Sequence, residues 1–152
     1  ETNAGGELCV RGPQVMSGYW KSEVSGLDEN NWFMTGDIAR IDETGNIFIV
    51  DRKKDMIIVS GFNVFPNEVE AVVNEHPSVL ECGCVGIEGE DSQELVKVFI
   101  VLHDGQSASE DEIIDFCREK LTAYKVPKHI EFINEIPKTN VGKVLRRELK
   151  EN

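Results

Sequence analysis

Short apolar runs separated by polar turns make up most of the first fifty residues. Residues 7–10, 38–41 and 47–50 each have the length and composition of a short strand. The segment at residues 42–46 joins the last two runs, and Gly45 is available there for the positive φ of a hairpin turn. The pattern therefore predicts a mostly β region with few of the long apolar runs that fill a core.

A second pattern follows the five consecutive charged residues 51–55. It predicts strands at 56–59 and 62–64, a helix from Pro66, an antiparallel pair at 79–87 and 95–102, a helix from Ser109, a strand at 130–133 and a helix at 144–150. Proline suits the first turn of a helix, and Ser109 with Glu112 has the sequence of a capping box. We expect an α+β fold, with a short β subdomain at residues 1–51. At 52–152 we expect a small domain with a central antiparallel sheet flanked by helices.

Composition limits the class of protein. With 152 residues, 40% of them hydrophobic, the chain can form one ordinary domain, or one domain with part of another. No run approaches the roughly 18 apolar residues of a membrane helix. The four cysteines show no Cys-x-x-Cys spacing, which favours reduced thiols in the cytoplasm. Because the chain opens on Glu1 and not on methionine, we expect it to be processed or cut from something longer.

Charge is unevenly distributed along the chain. The formal net charge is −12, which argues against a nucleic-acid binder. Residues 118–150 nevertheless carry nine Lys and Arg against four Glu, a local net charge of +5. This basic end is either a solvated helix face and tail or a site that meets an anion. Its only aromatic residues are Tyr124 and Phe132, too few for a stacking platform, so nucleic-acid binding is disfavoured here as well.

Three residues could meet a nucleotide. Lys143 follows Gly142 in a polar loop that could bring an ammonium to a phosphate, although the G-x-x-x-x-G-K-[ST] phosphate-loop pattern is absent and a surface lysine is the ordinary alternative. Asp37 follows a Thr-Gly turn and could accept two hydrogen bonds from a vicinal diol such as a ribose, or be a turn aspartate. Arg52 could hold phosphate or ribose oxygens, or be solvated.

Five motifs, taken in order, resemble one family along the whole chain. They are GELCVRGPQVMSGYW, WFMTGD, IVDRKKDMIIVSGFNVFPNEVE, LTAYKVPK and IPKTNVGKVLRREL. Their order and spacing are similar to those of the C-terminal third of an adenylate-forming enzyme of the acyl-CoA synthetase superfamily, in particular the bacterial long-chain fatty acid CoA ligases.

The resemblance implies a role for each of six residues. Asp37 matches the aspartate that binds the ATP ribose hydroxyls, and Arg52 an arginine that contacts the nucleotide near ribose and phosphate. Lys143 matches the lysine that adenylation requires. The remaining three matches are Lys54 at the hinge between two poses of the small domain, Gly61 on the loop that lines the pantetheine tunnel in the second pose, and Arg118 as a candidate for the CoA phosphates.

The resemblance also implies a reaction: ATP, a long-chain fatty acid and CoA give acyl-CoA, AMP and pyrophosphate through an acyl-adenylate. Mg²⁺ is expected for the full-length enzyme, with no metal ligands in this chain. The phosphate loop and the acyl tunnel belong to an N-terminal domain that is missing here, so we expect the chain to be inactive alone. The implied location is the cytoplasm, peripheral to the inner face of the membrane. The alternative is a free-standing, non-catalytic module that binds CoA or a protein.

Overall fold

The computed structural model describes residues 5–20, 26–89 and 93–151. The chain forms two compact units, which divide between Lys54 and Asp55. This division lies three residues beyond the expected boundary at residue 51. The reason is that the last strand of the first unit continues through Arg52.

The first unit is a three-stranded antiparallel sheet in the order β1 (Gly6–Val10), β2 (Phe33–Ile41) and β3 (Ile47–Arg52). The second strand begins five residues earlier than the predicted strand at 38–41, because Phe33 and Met34 pair with the end of β1. The sequence pattern missed this extension because a Thr-Gly pair interrupts it.

The turn between β2 and β3 is held by one carboxylate. As predicted, Gly45 adopts a positive φ there, +85°. The Asp42 carboxylate accepts hydrogen bonds from the Thr44 hydroxyl at 2.7 Å and from the backbone N–H of Asn46 at 2.9 Å. Because these bonds favour the ionised form, they lower the pKa of Asp42 to about 2.

The second unit contains the remaining elements of the described chain. They are β4 (Ile57–Val59), β5 (Phe62–Val64), α1 (Pro66–Val73), β6 (Val79–Glu88), β7 (Glu94–Leu102), α2 (Glu110–Lys120), β8 (His129–Phe132) and α3 (Arg146–Lys150), with a 3₁₀ turn at Ala123–Lys125. A further 3₁₀ turn, Lys53–Asp55, contains the division between the two units. The predicted α+β class is confirmed. Its central sheet is mixed and not wholly antiparallel: β6 pairs antiparallel with β7, but β8 runs parallel to β7. The connection through α2 is the crossover that parallel strands need.

Helix starts follow the sequence. Pro66 is at the beginning of α1, as predicted. The capping box of α2 is also confirmed: Ser109 Oγ accepts from the backbone N–H of Glu112 at 3.3 Å, and Glu112 Oε2 accepts from the backbone N–H of Ser109 at 2.7 Å. These bonds satisfy two backbone donors that the first turn of a helix otherwise leaves unpaired.

Both faces of the β6–β7 pair are covered. On one face, Cys84 and Val98 pack in a cluster with residues of α1 and α2. On the other face, Val85 and Phe99 pack with Leu149 of the C-terminal segment. Since successive strand residues point to opposite faces, the near-continuous apolar sequence of these strands is what two-sided burial requires.

The C-terminal helix is shorter than predicted. The expected helix at 144–150 begins only at Arg146, because Val144 forms an antiparallel bridge with Lys138 and the backbone N–H of Leu145 donates to Pro137 O at 2.8 Å. Two residues that fit a helical pattern are therefore used to close the loop that carries Lys143.

The four cysteines carry free thiols. Cys82, Cys84 and Cys117 are buried between the sheet and the helices. Burial raises the pKa of Cys82 well above its ordinary value and that of Cys117 to about 11. The thiols of Cys82 and Cys117 therefore stay protonated in the core near neutral pH.

Gly83 leaves the space into which the C-terminal segment packs. A Cβ added there would lie 2.6 Å from Cδ1 of Leu149 and 3.3 Å from Cγ1 of Val144. We expect Gly83→Ala to lower the free energy of unfolding by about 1–3 kcal/mol, the usual range for overpacking, because the terminal methyl of the buried Leu149 has to shift to make room for the new Cβ. Urea unfolding measures this. Leu80→Ala, at an exposed position of the same strand, is the control, and equal stability of Gly83→Ala and the parent would contradict the packing.

The Asp42 turn gives a prediction about pH. Since the folded-state pKa of Asp42 is about 2 and the ordinary value is 3.8, its stabilising effect is fully present above the ordinary value and disappears as the pH falls through about 2. We expect Asp42→Ala to have a lower thermal midpoint than the parent at neutral pH, and the difference to shrink over that acid range. Glu43→Ala, the adjacent exposed carboxylate, is the control. A difference that is independent of pH would contradict this role for the Asp42 carboxylate.

Candidate functional site

Asp37 and Arg52 are brought together by strand register. They are Cα partners in the β2–β3 ladder, and Arg52 Nη1 lies 2.7 Å from Asp37 Oδ1. Asp37 lies inside β2, whereas the predicted strand begins only at residue 38; Gly36, at φ +72°, lets the strand pass through the Thr-Gly pair. In the described residues no hydrogen bond reaches Asp37 Oδ2. The pair thus presents a carboxylate oxygen beside a guanidinium, a combination that can hold a polar ligand.

The Thr-Gly-Asp segment is fixed by a residue that the sequence analysis gave no role. Glu7 Oε1 accepts from the backbone N–H of Gly36 at 3.3 Å, and Glu7 Oε2 lies 2.6 Å from Lys53 Nζ. The hydrogen bond that Lys53 Nζ donates to Glu7 raises the pKa of Lys53. Thr35 Oγ1 adds a hydrogen bond to Leu8 O at 2.7 Å. A charged residue in the predicted strand at 7–10, directly after two glycines, was the available signal for Glu7.

Lys54 ends the first unit. It lies in the 3₁₀ turn after β3 and is exposed. Together with Gly36, Arg52 and Lys53 it lines an open depression. Arg52 and Lys53 of the charged run thus pair with acidic residues of the same sheet, whereas Lys54 forms no ion pair in the described residues.

Gly61 is at the tip of the β4–β5 hairpin. Ser60 and Gly61 both have positive φ, 49° and 83°, as a two-residue type I′ turn requires. In the described chain nothing lies within 4 Å of a Cβ added at Gly61, so the tip is open. Next to it, Phe62 stacks on Tyr124, with ring centroids 4.6 Å apart and an interplanar angle of 19°. This stack fixes the hairpin to the 3₁₀ turn that follows α2.

Lys143 is presented by a closed loop. Its backbone N–H donates to Thr139 Oγ1 at 3.1 Å, and its carbonyl accepts from the backbone N–H of Thr139 at 2.8 Å. Gly142, at φ +79°, makes the reversal possible. The side chain is exposed and forms no ion pair with any described residue. The loop backbone is thus held in place while the ammonium remains available.

Most basic residues of this end form ion pairs, four of them with acidic residues distant in sequence and Arg147 with the nearby Glu151. The ion pairs that show this are Lys120–Glu75, Lys125–Glu68, Lys138–Glu81, Arg146–Glu70 and Arg147–Glu151. In the described chain, Lys128, Lys143 and Lys150 are the basic residues of this segment without an ion pair. The local charge of +5 in the sequence is therefore not a basic surface patch.

Arg118 lies apart from the other candidates. It is exposed near the end of α2, pairs with Asp115 at 2.6 Å, and lines a small groove with Lys128. No contact in the described residues joins Arg118, Gly61 and Lys143 to one another. Of the residues singled out from the sequence, Asp37 and Arg52 are in direct contact.

Neither a cluster of metal-ligating side chains nor a membrane-spanning helix is found in the described residues. No group of three or more His, Cys, Asp and Glu side chains there is placed to hold a metal ion. Nor is any described helix long and apolar enough to cross a membrane.

The chain is similar in sequence to part of several CoA ligases. Over 148 residues it is 57% identical to a long-chain-fatty-acid-CoA ligase of Escherichia coli O157:H7 and 46% identical to one of Bacillus subtilis strain 168. Each alignment covers 96% of this chain and 26% of the relative. Over 147 residues it is 44% identical to a 2-succinylbenzoate-CoA ligase of Geobacillus kaustophilus, which covers 95% of this chain and 30% of that protein. The chain thus spans about a quarter of the length of the first two relatives.

Solved structures agree with this. ATP-bound MatB from Rhodopseudomonas palustris superposes with a TM-score of 0.90 at 32% identity, covering 99% of this chain and 31% of that one. An o-succinylbenzoate CoA synthetase from Bacillus subtilis with its acyl-adenylate intermediate gives 0.87 at 35% identity, covering 100% and 31%. Residues 68–143 match the family model described as the AMP-binding enzyme C-terminal domain. The resemblance seen in the sequence is confirmed, and the chain belongs to the adenylate-forming, AMP-binding enzyme family.

Proposed function

We propose that this chain is the C-terminal part of a long-chain fatty acid CoA ligase, in which residues 1–51 end the large domain and residues 52–152 form the mobile small domain. The observation that carries the proposal is the loop of Lys143, which is closed by backbone hydrogen bonds and presents an ammonium without an ion pair in the described residues. The identity of 57% to a ligase of this specificity supports the long-chain substrate.

In the first half-reaction, a carboxylate oxygen of the fatty acid attacks the α-phosphorus of ATP. A new P–O bond forms, the bond from the α-phosphorus to the bridging oxygen breaks, and pyrophosphate leaves. Negative charge is concentrated where the attacking and leaving oxygens meet the phosphorus. The ammonium of Lys143 stabilises this charge, as a fixed donor does in an oxyanion hole.

Asp37 and Arg52 hold the nucleotide in this proposal. A vicinal diol needs an acceptor for its hydroxyl hydrogens, and the carboxylate of Asp37 supplies one in Oδ2. Arg52, ion-paired to Oδ1 at 2.7 Å, keeps the carboxylate oriented and contributes positive charge toward the phosphates. The hydrogen bonds of Glu7 and Thr35 keep this segment in register.

In the second half-reaction, the thiol sulfur of CoA attacks the acyl carbonyl carbon. A C–S bond forms, the C–O bond to the phosphate breaks, the thiol proton is lost, and AMP leaves. Lys143 would obstruct this step, so the small domain rotates about Lys54 and brings the Gly61 hairpin to the pantetheine path. Gly61 has no side chain to block a narrow channel, and Arg118 is the candidate for the CoA phosphates.

The remaining partners follow from the family. ATP and CoA are substrates, and Mg²⁺ is expected for the whole enzyme. No cluster of metal-ligating side chains is found in the described residues. The missing N-terminal domain supplies the phosphate loop and the acyl tunnel. The whole enzyme would be cytoplasmic and peripheral to the inner face of the membrane, where its fatty acid is available.

The role of Lys143 is tested in the full-length protein that carries this chain. We expect Lys143→Ala to slow acyl-adenylate formation by about 10²–10³-fold, the effect of removing one donor to a developing oxyanion, with thioester formation from supplied acyl-adenylate little changed. Pyrophosphate release and acyl-CoA production measure the two steps. Lys150→Ala removes another exposed lysine without an ion pair in the described residues and is the control. Equal losses in both steps would contradict the role.

The dependence on the missing domain is tested with the 152-residue chain itself. We expect no release of pyrophosphate from ATP and fatty acid, because the sequence has no Ser/Thr/Gly-rich phosphate loop. A coupled pyrophosphate assay measures this, with the full-length protein as positive control. Release of pyrophosphate by the chain alone would refute this dependence on the N-terminal domain. Tight CoA binding by the chain alone would instead favour a free-standing CoA-binding module.

A further inference from the structure

Arg146 occupies a position that the proposed chemistry does not use. It is the first residue of α3, three residues after Lys143, and only 15% of its side chain is exposed. Arg146 Nη2 lies 2.9 Å and 2.8 Å from the two carboxylate oxygens of Glu70, and 2.7 Å from Asn67 Oδ1. One guanidinium therefore joins the C-terminal segment to α1.

Glu70 is held in turn by the central sheet. Its Oε1 accepts a hydrogen bond from the backbone N–H of Cys84, on β6, at 2.8 Å, and only 13% of its side chain is exposed. Arg146 Nη1 also lies 3.7 Å from Asp55 Oδ2, next in sequence to Lys54. The contact is thus a largely desolvated charge pair fixed to both a helix and a strand, unlike the exposed ion pairs of the basic end.

The Lys143 loop needs such an anchor. A helix of five residues, like α3, is too short to be stable alone. Its fixed points are Leu149, buried against the sheet, and Arg146 at its start. Val144, next to Lys143, packs against the sheet. Of the two anchors within α3, Arg146 lies three residues from Lys143 and Leu149 six, so Arg146 is the nearer in sequence.

We propose that Arg146 is a positioning residue for acyl-adenylate formation: through its contact with Glu70 it fixes where the loop presents the ammonium of Lys143. This inference rests on the function proposed above for Lys143. Lysine cannot replace Arg146, because a single ammonium does not reproduce the planar guanidinium contacts with Glu70 and Asn67. A purely stabilising residue would lower both half-reactions alike by reducing the folded fraction. A positioning residue lowers only the step that uses Lys143.

The experiment compares four variants of the full-length protein: Arg146→Lys, Glu70→Gln, Arg147→Lys and Lys143→Ala. We expect Arg146→Lys to lower the kcat of pyrophosphate formation by about 100-fold, the cost of a displacement near 1 Å, with unchanged KM for ATP. Thioester formation from supplied acyl-adenylate stays at the parental rate. Arg147 is the matched control, since it is adjacent, 89% exposed and paired only with Glu151 in the described chain.

Glu70→Gln tests the contact from its other side. It retains an acceptor for the backbone N–H of Cys84, removes the charge that Arg146 binds, and is expected to give the same selective loss of pyrophosphate formation. The double variant Arg146→Lys with Glu70→Gln should be no worse than the more impaired single variant, because both act through one contact. Additive losses would overturn the proposal.

The outcomes separate this inference from the function beneath it. If Lys143→Ala is selective for pyrophosphate formation but Arg146→Lys and Glu70→Gln impair both steps equally, or neither, the positioning role is refuted and the role of Lys143 stands. If Lys143→Ala is not selective, the proposed function fails first. If Arg147→Lys matches Arg146→Lys, the effect does not come from the contact with Glu70, and the positioning role is again refuted.

Discussion

The antiparallel pairing of β6 with β7 is the interaction on which the second unit depends. The helices α1 and α2 bury their apolar faces on one side of this pair, and the C-terminal segment buries Leu149 on the other. Every candidate residue of this unit is positioned by an element that packs on the pair or follows one that does. Because both faces of the β6–β7 pair are buried, the pair does not tolerate added side-chain volume. A Cβ added at Gly83, for example, would lie 2.6 Å from Cδ1 of Leu149.

The elements that the sequence predicted are those with local signals. Pro66 and the Ser109–Glu112 capping box placed two helix starts, and Gly45 placed the hairpin between β2 and β3. The sequence missed features that depend on distant pairing. β8 runs parallel to β7 because a crossover connection leads to it. β2 begins early because its first residues pair with the end of β1. The short α3 results from a loop closure that competes with a helical pattern.

The sequence predicted those residues of the candidate site that lie in recognisable motifs. The sequence singled out Asp37 and Arg52, and strand register makes them an ion pair. Glu7 was missed because its partners, Gly36 and Lys53, are far along the chain. The basic end was overestimated for the same reason: its cations are neutralised by carboxylates that only folding brings near. A count of charges along the sequence does not include such ion pairs, because they are visible only in the folded structure.

The ammonium of Lys143 forms no ion pair in the described residues, and this affects the rate at which it can bind an anion. Lys125 or Arg146 could meet a new anion only after giving up a carboxylate already in contact. Lys143 exchanges only water, so no internal bond has to break before the new one forms. Its attraction for an approaching anion acts through solvent, and it is screened over about 8 Å at physiological ionic strength. The loop is thus suited to repeated engagement and release of a charged ligand.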